Sequence, residues 1–135
     1  MRLSLLVIGA AGVLAFLATG LYMATHFPAA YAGGEHIRYT YRANHAYLLL
    51  ASLLNVALGV YWPGVRAGWR GKLALAGACL VLASPVVLLY AFAYEAPRGS
   101  PERVATLIGV LLVLAGVLAQ WPNRRQTHGN ALHHP

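Results

Sequence analysis

The charged residues of this chain leave four long stretches that carry no charge. The stretches cover residues 3–34, 43–65, 73–94 and 104–123. Each reaches the roughly 20 apolar residues that an α-helix, rising about 1.5 Å per residue, needs to cross about 30 Å of hydrocarbon. Strands of a membrane barrel are only about 10 residues long and alternate in polarity, whereas these stretches are continuously apolar. The pattern therefore favours transmembrane helices.

Composition indicates the same class of protein. Hydrophobic residues make up 59% of the 135 residues and charged residues only 10%, whereas about a quarter of a soluble domain is charged. We predict an all-α fold, an integral membrane bundle of four transmembrane helices in up-down-up-down order. The predicted helices cover residues 3–23, 43–62, 73–94 and 103–121. They form one domain, residues 1–122, and a polar cytoplasmic tail follows at residues 123–135.

The distribution of basic residues predicts the orientation of this bundle. With the N-terminus inside, the inner side carries six basic residues and no acid: Arg2, Arg66, Arg70, Lys72, Arg124 and Arg125. The outer side carries four basic and three acidic residues. Because basic residues gather on the cytoplasmic side, both termini are expected in the cytoplasm and the helices in the cell (inner) membrane. The net charge of +7 suits loops that meet anionic lipid, so we expect the bilayer, and not nucleic acid, as partner.

The second apolar stretch begins with a polar helical face. At about 100° per residue, six side chains fall within about 100° of one another, and Asn55 lies at the margin. The six are Arg38, Tyr41, Arg42, His45, Ser52 and Gly59. Polar groups facing hydrocarbon are costly, so this face is expected to turn toward other helices or a cavity. The predicted cofactor-binding residues are Arg38, Tyr41, Arg42, His45 and Asn55.

Glu95 ends the third apolar stretch, where the negative end of the helix dipole disfavours an anion. Arg38 and Arg42 lie in the first turns of the second helix if that helix begins before them, and the dipole disfavours cations there. An ion pair between Glu95 and either arginine would relieve both effects. A bound anion over the start of the second helix is the alternative.

Histidines and carboxylates collect at the same predicted membrane level. A mononuclear metal centre would use four of them: His26, His36, His45 and Glu95. Histidine ligands favour a transition metal such as zinc, copper or iron. His36 and His45 are nine residues apart, about 180° on one helix, so a shared ion requires His36 to lie in a loop. A haem would use one or two histidines as axial ligands, with Arg38 or Arg42 near its propionates.

Two further features concern helix packing. Pro85 lies in the middle of the third stretch and is expected to kink the helix, while neighbouring helices or serine side chains satisfy the freed carbonyl. Small residues recur at helical spacing, as in the pair Gly109 and Gly116 or the pair Gly77 and Ser84. They would let helix backbones approach closely.

Arg38, Arg42 and Ala43 at the start of the second helix resemble the MAPEG family, the glutathione-dependent membrane enzymes of eicosanoid metabolism. The resemblance implies a four-helix membrane fold and covers little more than these residues. Ile37 stands where the family has an acid, directly before the first arginine. No site residue is therefore transferred from the family.

Three functions are compatible with these residues. Our leading hypothesis is an accessory or assembly subunit of a larger respiratory or redox membrane complex, because the chain carries no complete catalytic constellation. Other membrane subunits, or copies of the same chain, would be its partners. The second hypothesis is a metal- or haem-binding redox protein, or a small membrane enzyme, that uses the polar cluster. The third is a quinone- or lipid-headgroup-binding protein in which His45, Asn55 and tyrosines supply hydrogen bonds.

Overall fold

The computed structural model describes residues 1–26, 34–62, 64, 67–98 and 102–129, and within these ranges it contains helices and no strand. Four α-helices follow one another: α1 Arg2–His26, α2 Glu35–Val60, α3 Trp69–Tyr94 and α4 Val104–Gly129. A short 3₁₀ turn, Ala96–Arg98, follows α3. The predicted all-α class with four helices is confirmed.

Three segments are long and apolar enough to cross a membrane. They are Arg2–His26, Glu35–Val60 and Trp69–Arg98, the last of which includes the 3₁₀ turn. The apolar part of α4, Val104–Gln120, is a shorter helix. Length and composition thus agree with the predicted spans of the first three helices.

The starts of α2 and α3 both follow a glycine in a left-handed backbone conformation. Gly34 has a φ of 106° and Gly68 a φ of 94°, and neither helix start has a side-chain cap. Residues with a β-carbon rarely adopt such angles, so glycine permits the sharp entry. As a result α2 begins at Glu35 instead of the predicted residue 43, and α3 begins at Trp69 instead of residue 73.

The end of α4 also differs from the prediction. The helix continues through Pro122 to Gly129, into the segment predicted as a polar tail. A single proline removes one backbone hydrogen bond and introduces a kink without excluding helical dihedral angles on either side. The rest of the predicted tail, residues 130–135, lies outside the described residues.

Glycines lie where the helices approach one another closely. α1 packs mainly on α2, α4 mainly on α3, and α2 contacts α3. A β-carbon added to Gly77 would lie 2.7 Å from the carbonyl oxygen of Gly116, and one added to Gly116 would lie 2.7 Å from that of Gly77. On the other pair, a β-carbon on Gly59 would lie 2.8 Å from Cγ of Leu6. The predicted close approach at small residues is confirmed for Gly77 and Gly116.

The buried apolar side chains form three layers along the helices. The layer at the end where α1 ends and α2 begins, which we name the outer end after the predicted orientation, contains Met23, Tyr41, Phe92 and Ala96. The middle layer contains Leu48, Ala51, Leu88 and Val113. The inner layer contains Leu5, Leu58 and Val81. Several polar side chains are fully buried among these layers, namely Thr40, Asn44, Ser52, Asn55 and Ser84.

Candidate functional site

His45 lies half-buried against α1. Its ring stacks on that of Phe16, with centroids 3.9 Å apart and planes inclined by 19°. Its Nδ1 lies 2.9 Å from Oγ1 of Thr19, which donates its proton to the carbonyl of Phe16. Because this hydroxyl has only one proton, the geometry favours a proton on Nδ1 of His45 and leaves Nε2 as an acceptor. Nε2 would be 3.6 Å from a β-carbon placed on Gly20, so the glycine makes room for the ring.

The structure does not bring the four predicted metal ligands together. His36 lies in the first helical turn of α2 and is exposed, so it points away from His45 and the loop that a shared ion required is not formed. His26 stacks on Tyr22 at 4.3 Å and contacts Oγ1 of Thr25. Among the described residues, no group of three or more histidine, cysteine or acidic side chains is close enough to hold a metal ion.

Glu95, the fourth predicted ligand, caps the start of α4. Its Oε2 accepts hydrogen bonds from the backbone N–H of Thr106 at 3.0 Å and from Oγ1 of Thr106 at 2.7 Å. Its Oε1 accepts one from the backbone N–H of Ala105. The positive end of the α4 dipole thus offsets the unfavourable dipole of α3. The hydrogen-bond donors to Glu95 come from the start of α4. The sequence analysis had instead expected an ion pair with Arg38 or Arg42.

Asn44 links α2 to this cap and is a residue that the sequence analysis did not single out. Its Oδ1 accepts hydrogen bonds from Nη2 of Arg103 at 2.5 Å and from Oγ1 of Thr106 at 2.9 Å. Asn44 is fully buried, and its Nδ2 has no partner in the described structure. A signal was present, since Asn44 and Asn55 are eleven residues apart and share a helix face to within about 20°.

Asn55 has a structural role that Pro85 explains. Proline lacks an N–H, so Pro85 leaves the carbonyl of Val81, four residues earlier, without its usual helical donor. Nδ2 of Asn55 donates to that carbonyl at 2.8 Å, and Oγ of Ser84 donates to it at 2.7 Å. Nδ2 of Asn55 also donates to the carbonyl of Ala51 at 2.9 Å. The predicted satisfaction of the freed carbonyl by a neighbouring helix and a serine is confirmed.

An apolar cavity lies between α1 and α3, near the outer end of the bundle. Its volume is about 480 Å³, within the range of roughly 300 to 1,000 Å³ that is typical of small-molecule pockets. Helix α2 contributes Tyr41 to its wall. The other walls include Ala18, Thr19, Tyr22, Leu89, Phe92 and Ala93. We refer to this space as the α1/α3 cavity.

Three aromatic rings surround the outer part of the α1/α3 cavity. The centroids of Tyr41 and Phe92 are 5.1 Å apart in an edge-to-face arrangement, and Tyr22 lies 6.3 Å from Phe92 and 6.4 Å from Tyr41. Thr19 lines the same cavity and contacts His45 through its hydroxyl. Of the five predicted cofactor-binding residues, the structure therefore brings Tyr41 to the cavity and places His45 behind its wall, in contact with Thr19. Arg38 and Arg42 are exposed on α2.

The cavity continues as a groove toward the inner end. A smaller space of about 110 Å³ shares Ala15 and Leu89 with the α1/α3 cavity and extends to Ile8 and Pro85. Small side chains on α1, such as Ala15, leave this groove open. The combined space is therefore elongated along the helices, with its hydroxyl groups at the outer end.

No protein-family model matches this chain, and no curated protein or solved structure is significantly similar to it.

Proposed function

We propose that this chain is an integral membrane protein whose four helices span the cell membrane, with both termini in the cytoplasm. Large apolar side chains are exposed along every helix, for example Leu14 at 67%, Leu50 at 53%, Val86 at 62% and Leu118 at 69%. Contact with lipid accounts for this exposure, whereas water would not. The excess of basic residues at the inner side supports the proposed orientation.

The single cysteine provides a test of this placement. Cys79 is exposed in the middle of α3, so it would react readily with a charged maleimide if α3 faced water. We expect no modification in intact membrane vesicles and complete modification after solubilisation in sodium dodecyl sulfate, measured by mass spectrometry.

A matched variant tests the orientation. In a Cys79→Ala background, Ala67→Cys places a thiol at an exposed position before α3, on the proposed cytoplasmic side. It should react in inverted vesicles and not in right-side-out vesicles. Modification of Cys79 in intact vesicles would refute the membrane placement, and the opposite labelling of Ala67→Cys would refute the orientation.

Within this protein, the α1/α3 cavity is the proposed site of function: it binds an isoprenoid quinone, a neutral amphiphile with a planar ring and a long apolar chain. The observation that carries this proposal is the cavity itself, which joins three aromatic rings to an apolar groove. None of the described residues that line it is charged. A charged phospholipid headgroup would lack a counter-charge there, and unpaired charge in an apolar site is costly.

The dimensions and polar groups also suit a quinone. The ring would lie among Tyr22, Tyr41 and Phe92, since aromatic rings pack favourably at centroid distances of about 4.5 to 7 Å. The phenol hydroxyl of Tyr22, which lines this end of the cavity, is the proposed hydrogen-bond donor for a quinone carbonyl. The groove from Tyr22 to Ile8 spans fourteen residues of α1, roughly 21 Å at about 1.5 Å per residue. An isoprenoid chain would occupy it.

Filling the cavity should remove the ligand. Ala18→Leu and Ala93→Leu each add apolar volume at a lining position, and we expect quinone that co-purifies with the protein to fall at least about tenfold, which corresponds to roughly 1.4 kcal/mol. Quinone is measured by solvent extraction and chromatography per mole of protein.

Ala115→Leu, at an exposed position of α4 away from the cavity, is the matched control and should retain the quinone. Equal quinone content in the cavity variants and the control would refute the proposal, as would extraction of phospholipid alone. The accessory-subunit, metal and haem hypotheses stay predictions, because no contact among the described residues favours them.

A further inference from the structure

The inner end of the α3/α4 pair, opposite the outer end, carries basic residues on both helices. They are Arg70 and Lys72 in the first turn of α3 and Arg124 and Arg125 on the continuation of α4 beyond its apolar part. The sequence adds two more basic residues on this side, Arg2 at the start of α1 and Arg66 shortly before α3. The chain has only three acidic residues, and all lie toward the outer end: Glu35, Glu95 and Glu102. No acidic side chain therefore neutralises the inner end.

The register of α3 against α4 brings the basic residues of the two helices to one level. Nε2 of Gln120 donates to the carbonyl of Ala74 at 2.7 Å, so these two residues lie side by side in the antiparallel pair. One helical turn further toward the inner end, about four residues, leads to Arg124 on α4 and to Arg70 on α3. Like charges are thus gathered at the end of two packed helices, which favours an anionic ligand there.

Arg70 lies on the side of α3 that packs against α4. It precedes Gly77, where the two helices cross, by seven residues, and seven steps of about 100° return to within about 20° of the same direction. Its Cζ lies 5.6 Å from the centroid of the Trp69 ring, and both side chains are exposed. A guanidinium that contacts a ring through its face keeps the N–H donors along its edge for a phosphate.

Apolar side chains follow directly above this level. Leu73 on α3 and Val117 on α4 are exposed toward the surroundings of the pair. Trp69 and Arg70 at the end of a membrane helix are typical of the interface, where the headgroups of phospholipids lie. The inner end of the pair therefore offers positive charge at the headgroup level and an apolar surface for acyl chains.

We propose that the inner end of the α3/α4 pair binds a phospholipid with two phosphates joined by one glycerol, the chemistry of cardiolipin. Packed helices have axes about 8 to 10 Å apart, so two linked phosphates contact basic residues of both helices at once. A lipid with one phosphate lacks this second, tethered contact. The inference rests on the membrane placement and orientation proposed above but not on quinone binding.

The test compares lipids at equal phosphate concentration. The full-length protein in detergent micelles is titrated with cardiolipin, phosphatidylglycerol and phosphatidylethanolamine that carry the same acyl chains, and bound lipid is counted by native mass spectrometry. Cardiolipin should bind at least about tenfold more tightly than phosphatidylglycerol, because the first phosphate holds the second near its site. Phosphatidylethanolamine, which has no net charge, should bind more weakly than either.

Inorganic pyrophosphate distinguishes a lipid from a soluble ligand. It carries two linked phosphates and no acyl chain, so it should not displace cardiolipin at equal concentration. Displacement would show that the basic residues take a soluble diphosphate and would overturn the assignment to a lipid.

Single substitutions locate the site. Arg70→Gln and Arg124→Gln should each weaken cardiolipin binding about five-fold, as expected for the loss of one exposed charge interaction, and Arg70→Lys should retain most of the affinity. Arg2→Gln is the matched control, because it removes the same charge from the same side of the membrane on α1, which packs mainly on α2. Its cardiolipin affinity should stay within about two-fold of the unaltered protein.

Two results would overturn the proposal. One is equal affinity for cardiolipin and phosphatidylglycerol at equal phosphate. The other is an equal loss in Arg2→Gln and Arg70→Gln, which would show only a general attraction between a basic chain and anionic lipid. Either result leaves the quinone site untouched, since Arg70→Gln should retain the quinone. Modification of Cys79 in intact vesicles would instead remove the membrane placement on which this inference rests.

Discussion

Replacement of Gly116 by leucine is expected to destabilise the protein by about 3 kcal/mol, because there is no space for a side chain where α4 crosses α3. A β-carbon at this position would lie 2.7 Å from the carbonyl oxygen of Gly77 and 3.1 Å from the backbone nitrogen of Val81. Both are backbone atoms, so relief requires the helices to separate. Separation would also weaken the hydrogen bond of 2.7 Å from Nε2 of Gln120 to the carbonyl of Ala74.

Gly116→Ala makes this prediction more specific. Alanine is about 1 kcal/mol more favourable than glycine within a helix, so a position free of tertiary contact would gain stability. We expect a loss of about 1 to 3 kcal/mol instead, since the added β-carbon overpacks the crossing. The measurement is equilibrium unfolding in mixed micelles with increasing dodecyl sulfate, followed by circular dichroism.

Ala115→Leu is the matched control, because it enlarges the neighbouring residue on the exposed face of α4. Its unfolding should stay within about 0.5 kcal/mol of the unaltered protein, as is usual for surface positions. A stability gain in Gly116→Ala would show that α3 and α4 do not cross at this glycine.

The apolar spans were predictable because charged residues mark their limits, but the starts of α2 and α3 and the end of α4 were not. Helix starts are usually recognised by serine, threonine, aspartate or asparagine at the cap. Here Gly34 and Gly68 supply backbone conformation and no side-chain cap. The early start of α2 then places His36 within the helix, so the structure does not bring His36 and His45, two of the four predicted metal ligands, together.

The part of the candidate site that lies on α2 was predictable from the sequence. The residues that α1 and α3 contribute to it were not. The periodicity of α2 identified the polar face that contains Tyr41 and His45, since a helix fixes the angles between its own residues. It gave no information on which helix would cover that face. Thr19 and Phe92, which complete the α1/α3 cavity, come from α1 and α3, and only the packing of three helices brings them together.

Asn55→Leu is expected to destabilise the protein by about 2 kcal/mol, because the carbonyl that Pro85 frees would lose its donor from α2. Leucine keeps the four side-chain heavy atoms and the branch at Cγ, but its methyl groups are larger than the amide, so a packing cost adds to this loss. The substitution also removes Oδ1 of Asn55, a buried acceptor without a partner in the described structure, which offsets part of the loss. A single substitution therefore does not isolate the hydrogen bond to Val81.

A double-mutant cycle with Pro85→Ala isolates the hydrogen bond from Asn55 to the carbonyl of Val81. Alanine restores an N–H at position 85, which donates to the carbonyl of Val81 within α3, so Asn55 becomes less important. We expect Asn55→Leu to cost about 1 kcal/mol less in the Pro85→Ala background than in the unaltered protein, measured by the same unfolding experiment. The removal of Oδ1 occurs in both backgrounds and cancels.

Ser52→Ala serves as the control for this cycle. Ser52 is fully buried on α2, close to Asn55, but its hydroxyl donates to the carbonyl of Leu48 in its own helix at 2.6 Å. The free energy of unfolding lost in Ser52→Ala should therefore be the same with proline or alanine at position 85. If the cost of Asn55→Leu were also the same with proline or alanine at position 85, the hydrogen bond from Asn55 to the carbonyl of Val81 would not stabilise the fold. Coupling confined to Asn55 would mean that an asparagine on α2 allows a proline in the middle of α3.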